Sequence, residues 1–401
     1  MRVCAIICEY NPFHNGHAYL ISKAKQMGFT HIVAIMSGNF TQRGEFSIVS
    51  KLAKTKMALL NNVDLVIELP AVYSISRAEI FAKSAIYLAN SLGCIDALIF
   101  GSECGNIQML KTAAEATSSK TVNTEIKKFL KTGITFAKAR ALAVEKVYGN
   151  RVSNIFNFSN NNLAIEYIKA LNDFDSRIKP LPVLREQVLH DSMDFAGNFA
   201  SASYIRSLIL KGQDYSQFVP RATLEILKQE MALGLAPADV KRLERAFLFQ
   251  LRKLEIDDIL MASEIGEGLE FKIYKEIKSS SSFEELLNKV KSKRYTLARI
   301  KRIVLSLILG IDKELQNVLP SYVRILGFSI KGKKILSKLK KSAILPVFTK
   351  YSEVEKYKDE NILKKFAFEA KLSDIYSLAL PKVCEMGLDY KFSVVDGDKI
   401  I

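Results

Sequence analysis

Near its start the chain runs the apolar stretch Val3-Cys4-Ala5-Ile6-Ile7-Cys8 straight into Asn11-Pro12-Phe13-His14-Asn15-Gly16-His17. A short apolar run, a turn punctuated by Pro and Gly, and then helical spacing from His17 to Met27 read as the opening of a βαβ unit. The alternation continues. His31 to Met36 reads as a strand, Ser50 to Asn61 as a helix capped by Ser50, and Leu65 to Ile67 as a third strand. Arg77 to Leu92 follows as a helix ending near Gly93, and Ile95 to Phe100 as a fourth strand closed by Gly101. Strands this continuously apolar need cover on both faces. The predicted fold is therefore α/β, a Rossmann-like doubly wound parallel sheet with a helix-rich C-terminal region. Ligands of such sheets bind beyond the carboxyl ends of the strands.

Residues 105–172 read as a mostly helical insertion. Ile178 to Val183 contains Pro180 and Pro182, so it can be a fifth strand only at an edge or a strand end. Helices resume from Ser203, and weak strand signals appear at Tyr322 to Leu326 and Ala343 to Phe348. A boundary near Leu235-Ala236-Pro237 divides a Rossmann-like nucleotide-binding domain, 1–235, from a mostly helical basic region, 236–401.

The net charge of +16 is large for an enzyme of small molecules, and most of the excess lies after residue 200. Such a field attracts polyanions, which makes nucleic acid the expected partner class. The five cysteines are scattered and never spaced as CxxC, a pattern of reduced thiols with no zinc or other metal site. The longest apolar run, around Ile303 to Leu309, falls far short of the roughly 20 residues of a membrane span. A cytoplasmic location away from membranes is expected, with no stable protein partner.

The HxGH of His14 to His17, directly after the first strand, suits nucleotidyl transfer. Attack at the α-phosphorus of ATP builds negative charge, which helix N-terminal amides and imidazoles can stabilise. Gly16 lets backbone approach closely. A second constellation, Ser201-Ala202-Ser203-Tyr204-Ile205-Arg206, offers the hydroxyls of Ser201 and Ser203 at a helix start, with Arg206 one turn in to neutralise departing pyrophosphate. Taken singly, each motif could be a plain helix cap. Arg43, in the loop after the second strand, could hold a phosphate, an RNA phosphate or, on the resemblance described below, acetate, but a solvated arginine reads equally well. His31 reads as structural. Cys8 has no feature that would make it a nucleophile.

Two basic runs lie late in the chain. Lys289, Lys291, Lys293, Arg294, Arg299, Lys301 and Arg302 occur without an intervening acid and with Tyr295 among them; Lys331 to Lys341 adds six lysines. One such run alone is usually a solvated helix face. Two in a strongly positive chain favour contact with an RNA backbone.

NPFHNGH, Met36 to Glu45 (MSGNFTQRGE), Asp64 to Pro70 (DLVIELP) and Phe100 to Glu103 (FGSE) together resemble the bacterial tRNA(Met) cytidine acetate ligase family, densely over the first 105 residues. HxGH with SxSxxR is similar to the wider HIGH-type nucleotidylyltransferases. The resemblance implies an enzyme that activates acetate as acetyl-adenylate and acetylates N4 of the wobble cytidine in elongator tRNA(Met), giving N4-acetylcytidine. It puts ATP on Ile7, Cys8, Glu9, Tyr10, Asn11, Pro12, Phe13, His14, Asn15, Gly16, His17, Ala18, Tyr19 and Leu20, on Gly101 after the fourth strand, on Asn162, and on Arg185. The stretch Val183 to Asp191, holding Arg185 and His190, departs from the Gly-containing, Arg-rich pattern of the family.

The expected mechanism has Mg²⁺ bridging the phosphates of ATP over the first helix. Acetate attacks the α-phosphorus in line, and the catalytic pair His14 and His17 stabilises the pentacovalent charge. Two other readings share features of this chain. A small-molecule adenylyltransferase would use the same front motifs without explaining the basic second half. A noncatalytic RNA-binding protein with a relict nucleotide fold would explain only the charge.

Overall fold

The computed structural model describes residues 1–185 and 197–400; His190 lies outside them. Five strands, β1 (Val3–Cys8), β2 (His31–Ser37), β3 (Leu65–Leu69), β4 (Ala97–Ser102) and β5 (Lys179–Leu184), form a parallel sheet in the order β5-β4-β1-β2-β3. β1 pairs from Val3 opposite His31 to Cys8 opposite Met36. The chain winds from β1 out to β3 on one side, then crosses to β4 and β5 on the other. The reversal opens a crevice at the carboxyl ends of β1 and β4. β5 sits at the sheet edge, where prolines can be tolerated because one side needs no ladder.

Both faces of the sheet are buried, by alternate residues. Ala5, Val33, Ile35, Ile67 and Leu98 pack with the helices Ala78–Ser91 and Ser159–Asp173. Cys4, Ile6, Ala34 and Met36 pack on the opposite face with α1 (Asn15–Gln26), α2 (Lys51–Leu60) and the helix Ala202–Leu210. Each of the Val, Ile, Leu and Met side chains among them contributes roughly 1.5–3 kcal/mol by burial. Ser50 caps α2, its Oγ accepting from Ala53 N at 3.2 Å. The helix Ser159–Asp173, expected as the end of an insertion, is part of the crossover between β4 and β5: Ala164 and Ile165 pack in the same core as Phe100.

The C-terminal region returns to this sheet. β6 (Val323–Phe328) pairs antiparallel with β3, Leu65 opposite Phe328. The second weak strand signal shrinks to Val347–Phe348, because Ile344 is instead tied by its N–H to Ser91 O at 2.8 Å and leaves its side chain exposed. Charges seal the seam. Lys51 Nζ lies 2.8 Å from Glu68 and 2.7 Å from Asp389, and Arg324 reaches Asp389 at 3.0 Å and Glu68 at 3.2 Å, all four side chains being buried. Burial pushes the Asp389 carboxyl up, but Lys51 and Arg324 overcome it and hold it well below the usual carboxylate range. Beyond residue 250 a separate apolar cluster, including Ile259, Ile273, Leu286, Ile300 and Val304, forms the core of a small helical module.

Candidate active site

The turn after β1 carries a cis Asn11–Pro12 bond, and Asn11 Oδ1 accepts from Ile48 N at 2.7 Å. α1 begins at Asn15, two residues before the apolar periodicity starts, because His14 acts as its cap. His14 Nδ1 accepts from Gly16 N at 3.1 Å, and His17 Nδ1 accepts from His14 N at 3.1 Å. The rings stack with centroids 3.7 Å apart and planes at 25°. Since each Nδ1 accepts a backbone N–H, the hydrogen-bond pattern assigns the ring proton of each neutral imidazole to Nε2. The pair therefore presents two Nε2–H donors at a helix N-terminus, where the backbone dipoles favour an anion. Gly16 is required for this arrangement: a Cβ there would stand 2.9 Å from His14 Cε1.

A cavity of 330 Å³ opens at this point, at the sheet's switch crevice. Of the residues expected to hold ATP, Ile7, Cys8, Glu9, Tyr10, Asn11, His14, Gly16, His17, Tyr19, Leu20, Gly101, Asn162, Arg185, Ser201 and Arg206 line it. Pro12, Phe13, Asn15, Ala18 and Ser203 do not. Phe13 is core, and the Asn15 amide donates to Asn198 O at 2.8 Å and Gln217 O at 2.9 Å. Gly101 lies inside β4 rather than after it; a Cβ would stand 3.2 Å from Arg185 Cγ. The Arg185 guanidinium makes no hydrogen bond among the described residues. The Asn162 side chain is held by its own surroundings, donating to Phe156 O and Phe158 O at 2.8 Å and accepting from Arg140 at 3.1 Å.

The SxSxxR segment does two jobs. Ser201 caps the helix Ala202–Leu210, accepting from Tyr204 N at 3.1 Å. Arg206 reaches back to Asn11 O at 3.0 Å, to Glu45 at 3.0 Å and to Ser203 Oγ at 3.4 Å. Glu45 also accepts from Lys301 at 2.6 Å, and Arg206 and Lys301 together hold its carboxyl below the usual range against the upward push of burial.

Several residues that shape the cavity were given no role in the sequence. Phe81, Phe100, Leu163 and Tyr167 supply an apolar wall, and Gln42 supplies a polar one together with Arg43, the loop arginine noted above. Buried Lys54 pins the floor, donating to Glu9 O at 2.9 Å, Ser37 O at 2.8 Å, Gly38 O at 2.6 Å and Ser47 Oγ at 3.0 Å. Burial pulls its pKa down to about 8. Burial also pushes the Cys8 thiol up to about 12, which leaves it protonated and unreactive.

The basic stretch divides. Lys291, Lys293 and Arg294 are exposed, Arg294 pairing with Glu267 at 2.8 Å. Lys289 is anchored to Glu285 at 2.7 Å. Arg299, Lys301 and Arg302 turn toward the protein. Arg302 makes a two-pronged pair with Glu264, at 2.7 and 2.6 Å, and Arg299 donates to Glu264 O. The loop Gly38 to Glu45 closes on the same helix, Leu297–Leu309. Gly44, at φ +71°, lies so near it that a Cβ would meet Arg302 N at 2.5 Å.

A family model for HIGH nucleotidyl transferases matches residues 1–390. A tRNA(Met) cytidine acetate ligase of Thermoanaerobacter sp. (strain X514) is 42% identical over 97% of this chain and 98% of its own length. One from Caldanaerobacter subterraneus subsp. tengcongensis is 40% identical over 98% of this chain and 100% of its own. Crystal structures of Thermotoga maritima TmcAL, apo and bound with alpha-thio ATP, superpose with TM-scores of 0.94 and 0.91 at 30% identity, covering 99% of both chains. With the switch-crevice cavity and the capped imidazole pair at its mouth, these likenesses make the chain a member of the HIGH nucleotidyl transferase family, within its tRNA(Met) cytidine acetate ligase group.

Proposed function

We propose that this enzyme condenses acetate with ATP to form acetyl-adenylate and pyrophosphate, then transfers the acetyl group to N4 of the wobble cytidine of elongator tRNA(Met). The observation that carries the reading is the meeting, in one cavity, of the stacked His14 and His17 with Arg185 and Arg206 at a helix N-terminus. That is an anion site with directed donors. The N-terminal amides of α1 and the two Nε2–H groups would hold the α-phosphate and stabilise the charge that grows as acetate attacks. Arg206, fixed by Asn11 O and Glu45, would receive the departing pyrophosphate. Phe81, Phe100 and Tyr167 exclude water from the mixed anhydride. ATP would enter as its Mg²⁺ complex. Among the described residues no group of three or more His, Cys, Asp or Glu is arranged for an ion.

The exposed Lys291, Lys293 and Arg294 are the proposed tRNA phosphate contacts; Lys289, Arg299, Lys301 and Arg302 hold the module together and against the cavity loop. Nucleoside mass spectrometry of tRNA(Met) from a strain lacking this protein tests the function. Loss of N4-acetylcytidine, restored by the gene and not by a His17→Ala variant, is the expected result. Unchanged acetylcytidine would refute it.

A further inference from the structure

Transfer to cytidine needs a base, a role that none of the phosphate contacts proposed above fills. The exocyclic amine of cytosine is a weak nucleophile, because its lone pair is delocalised into the ring. Attack of N4 on the acetyl carbonyl gives an adduct that carries an extra proton on nitrogen. Unless that proton is taken up, the adduct reverts. A base must therefore stand at the cavity wall.

Most of the lining residues are ruled out. His14 and His17 carry their protons on Nε2, with each Nδ1 already accepting a backbone N–H. The Cys8 thiol and the Tyr167 hydroxyl stay protonated, both pushed up by burial. Arg43, Arg185 and Arg206 are cations at every relevant pH. Among the described residues, the one acidic side chain on the cavity wall is Glu9, which directly follows β1. Its Oε1 accepts from Gln42 N at 2.6 Å. Among the described residues its Oε2 accepts no hydrogen bond, and the residue is half-buried on the cavity wall. The side chain is thus positioned through one oxygen, with the other uncommitted among the described residues. A carboxylate is also the side-chain acceptor that matches the cytosine N4 amine.

We infer that the Glu9 carboxylate receives the cytidine N4 amine and acts as the general base of acetyl transfer. The N4 lone pair forms the N–C bond, the acyl C–O bond to the adenylate phosphate breaks, AMP leaves with that electron pair, and the N4 proton passes to Glu9 Oε2 and then to solvent. The inference rests on the two-step reading proposed above. The groups around Glu9 suit the role. Lys54 from α2, Arg206 from the helix Ala202–Leu210 and Arg43 from the loop after β2 all stabilise its charged form, while burial raises its pKa and dominates. Gln42 N–H favours the charged form, and Cys8 and Tyr167 complete its surroundings. A base that titrates above an ordinary glutamate takes up a proton more readily near neutral pH.

The test separates the two half-reactions. Synthetic acetyl-adenylate is supplied to the enzyme with tRNA(Met), and acetylcytidine formed in a single turnover is measured from pH 5 to 9, beside acetate-dependent ATP–pyrophosphate exchange. The native transfer rate is expected to rise with pH, and Glu9→Gln to slow transfer by about 10²–10⁴-fold and to abolish that rise. Its exchange should fall far less than its transfer, and Glu9→Asp should recover part of the rate with the rise restored. Transfer by Glu9→Gln within a few-fold of native, or a rise with pH that survives the substitution, overturns the inference. So does an equal loss of exchange and transfer, which would assign Glu9 to the nucleotide. Absence of acetate-dependent exchange in the native enzyme would instead sink the two-step reading itself.

Discussion

The cavity at the sheet and the basic helical module are built on opposite plans. At the mouth of the cavity, residues adjacent in sequence are adjacent in space: His14, Gly16 and His17 hydrogen-bond within one turn. In the module, lysines and arginines that stand in sequence without acids meet Glu45, Glu264 and Glu267 through the fold. A local motif thus keeps its meaning when the chain folds. A charge run does not, because exposure and pairing are decided by elements far away.

The largest effect that can test this contrast lies at the cavity. His17→Ala removes an Nε2–H donor and the acceptor for His14 N, and should lower acetate-dependent ATP–pyrophosphate exchange at least about 10²-fold, with tRNA binding retained. Filter binding beside exchange reads both; loss of both together would mean that the substitution merely unfolds the turn.

In the module, Glu264→Ala leaves Arg302 half-buried with one of its partners gone. A loss of about 1–3 kcal/mol in urea unfolding is expected, with exchange little changed. If Arg302 instead serves RNA directly, the variant should bind tRNA more tightly at native stability.

The seam where the C-terminal region meets the sheet, outside both regions, gives a pH signature. Glu369 accepts from Ala71 N at 2.8 Å and Val72 N at 3.2 Å, and burial, with Glu68 nearby, pushes its pKa up to about 7. A carboxyl raised in the folded state binds more protons there than in the unfolded chain. Its contribution is therefore present at low pH and is lost as pH rises from about 4.5 through 7. Glu369→Gln should flatten that part of the stability profile.

The smallest effect is electrostatic. Neutralising Lys293 and Arg294 together should lower the salt slope of tRNA binding by about 1.5, if each meets one phosphate. Neutralising the paired Lys301 should change the slope little and act through Glu45 instead.

Much of the sheet and the front of the site was legible in the sequence. The alternation of apolar runs marks β1 to β4, Ser50 marks a cap, and Pro180 and Pro182 mark an edge. The antiparallel return of β6 beside β3 was not legible as a pairing, since a weak strand signal carries no partner. Nor were the two-pronged Glu264–Arg302 pair, the burial of Lys54, or the seam of Lys51, Glu68, Arg324 and Asp389. Each depends on side chains brought together from distant positions. Arg43 was visible as a loop arginine, and only the fold brings it to the cavity wall.

The central claim is that the capped imidazole pair directs acetate onto the α-phosphorus of ATP. It is tested most directly by running the complete reaction with ¹⁸O-labelled acetate and weighing the nucleotide released. Attack at that atom, followed by cleavage of the acyl C–O bond, leaves one acetate oxygen in each AMP. Unlabelled AMP, or ADP in its place, would contradict the account.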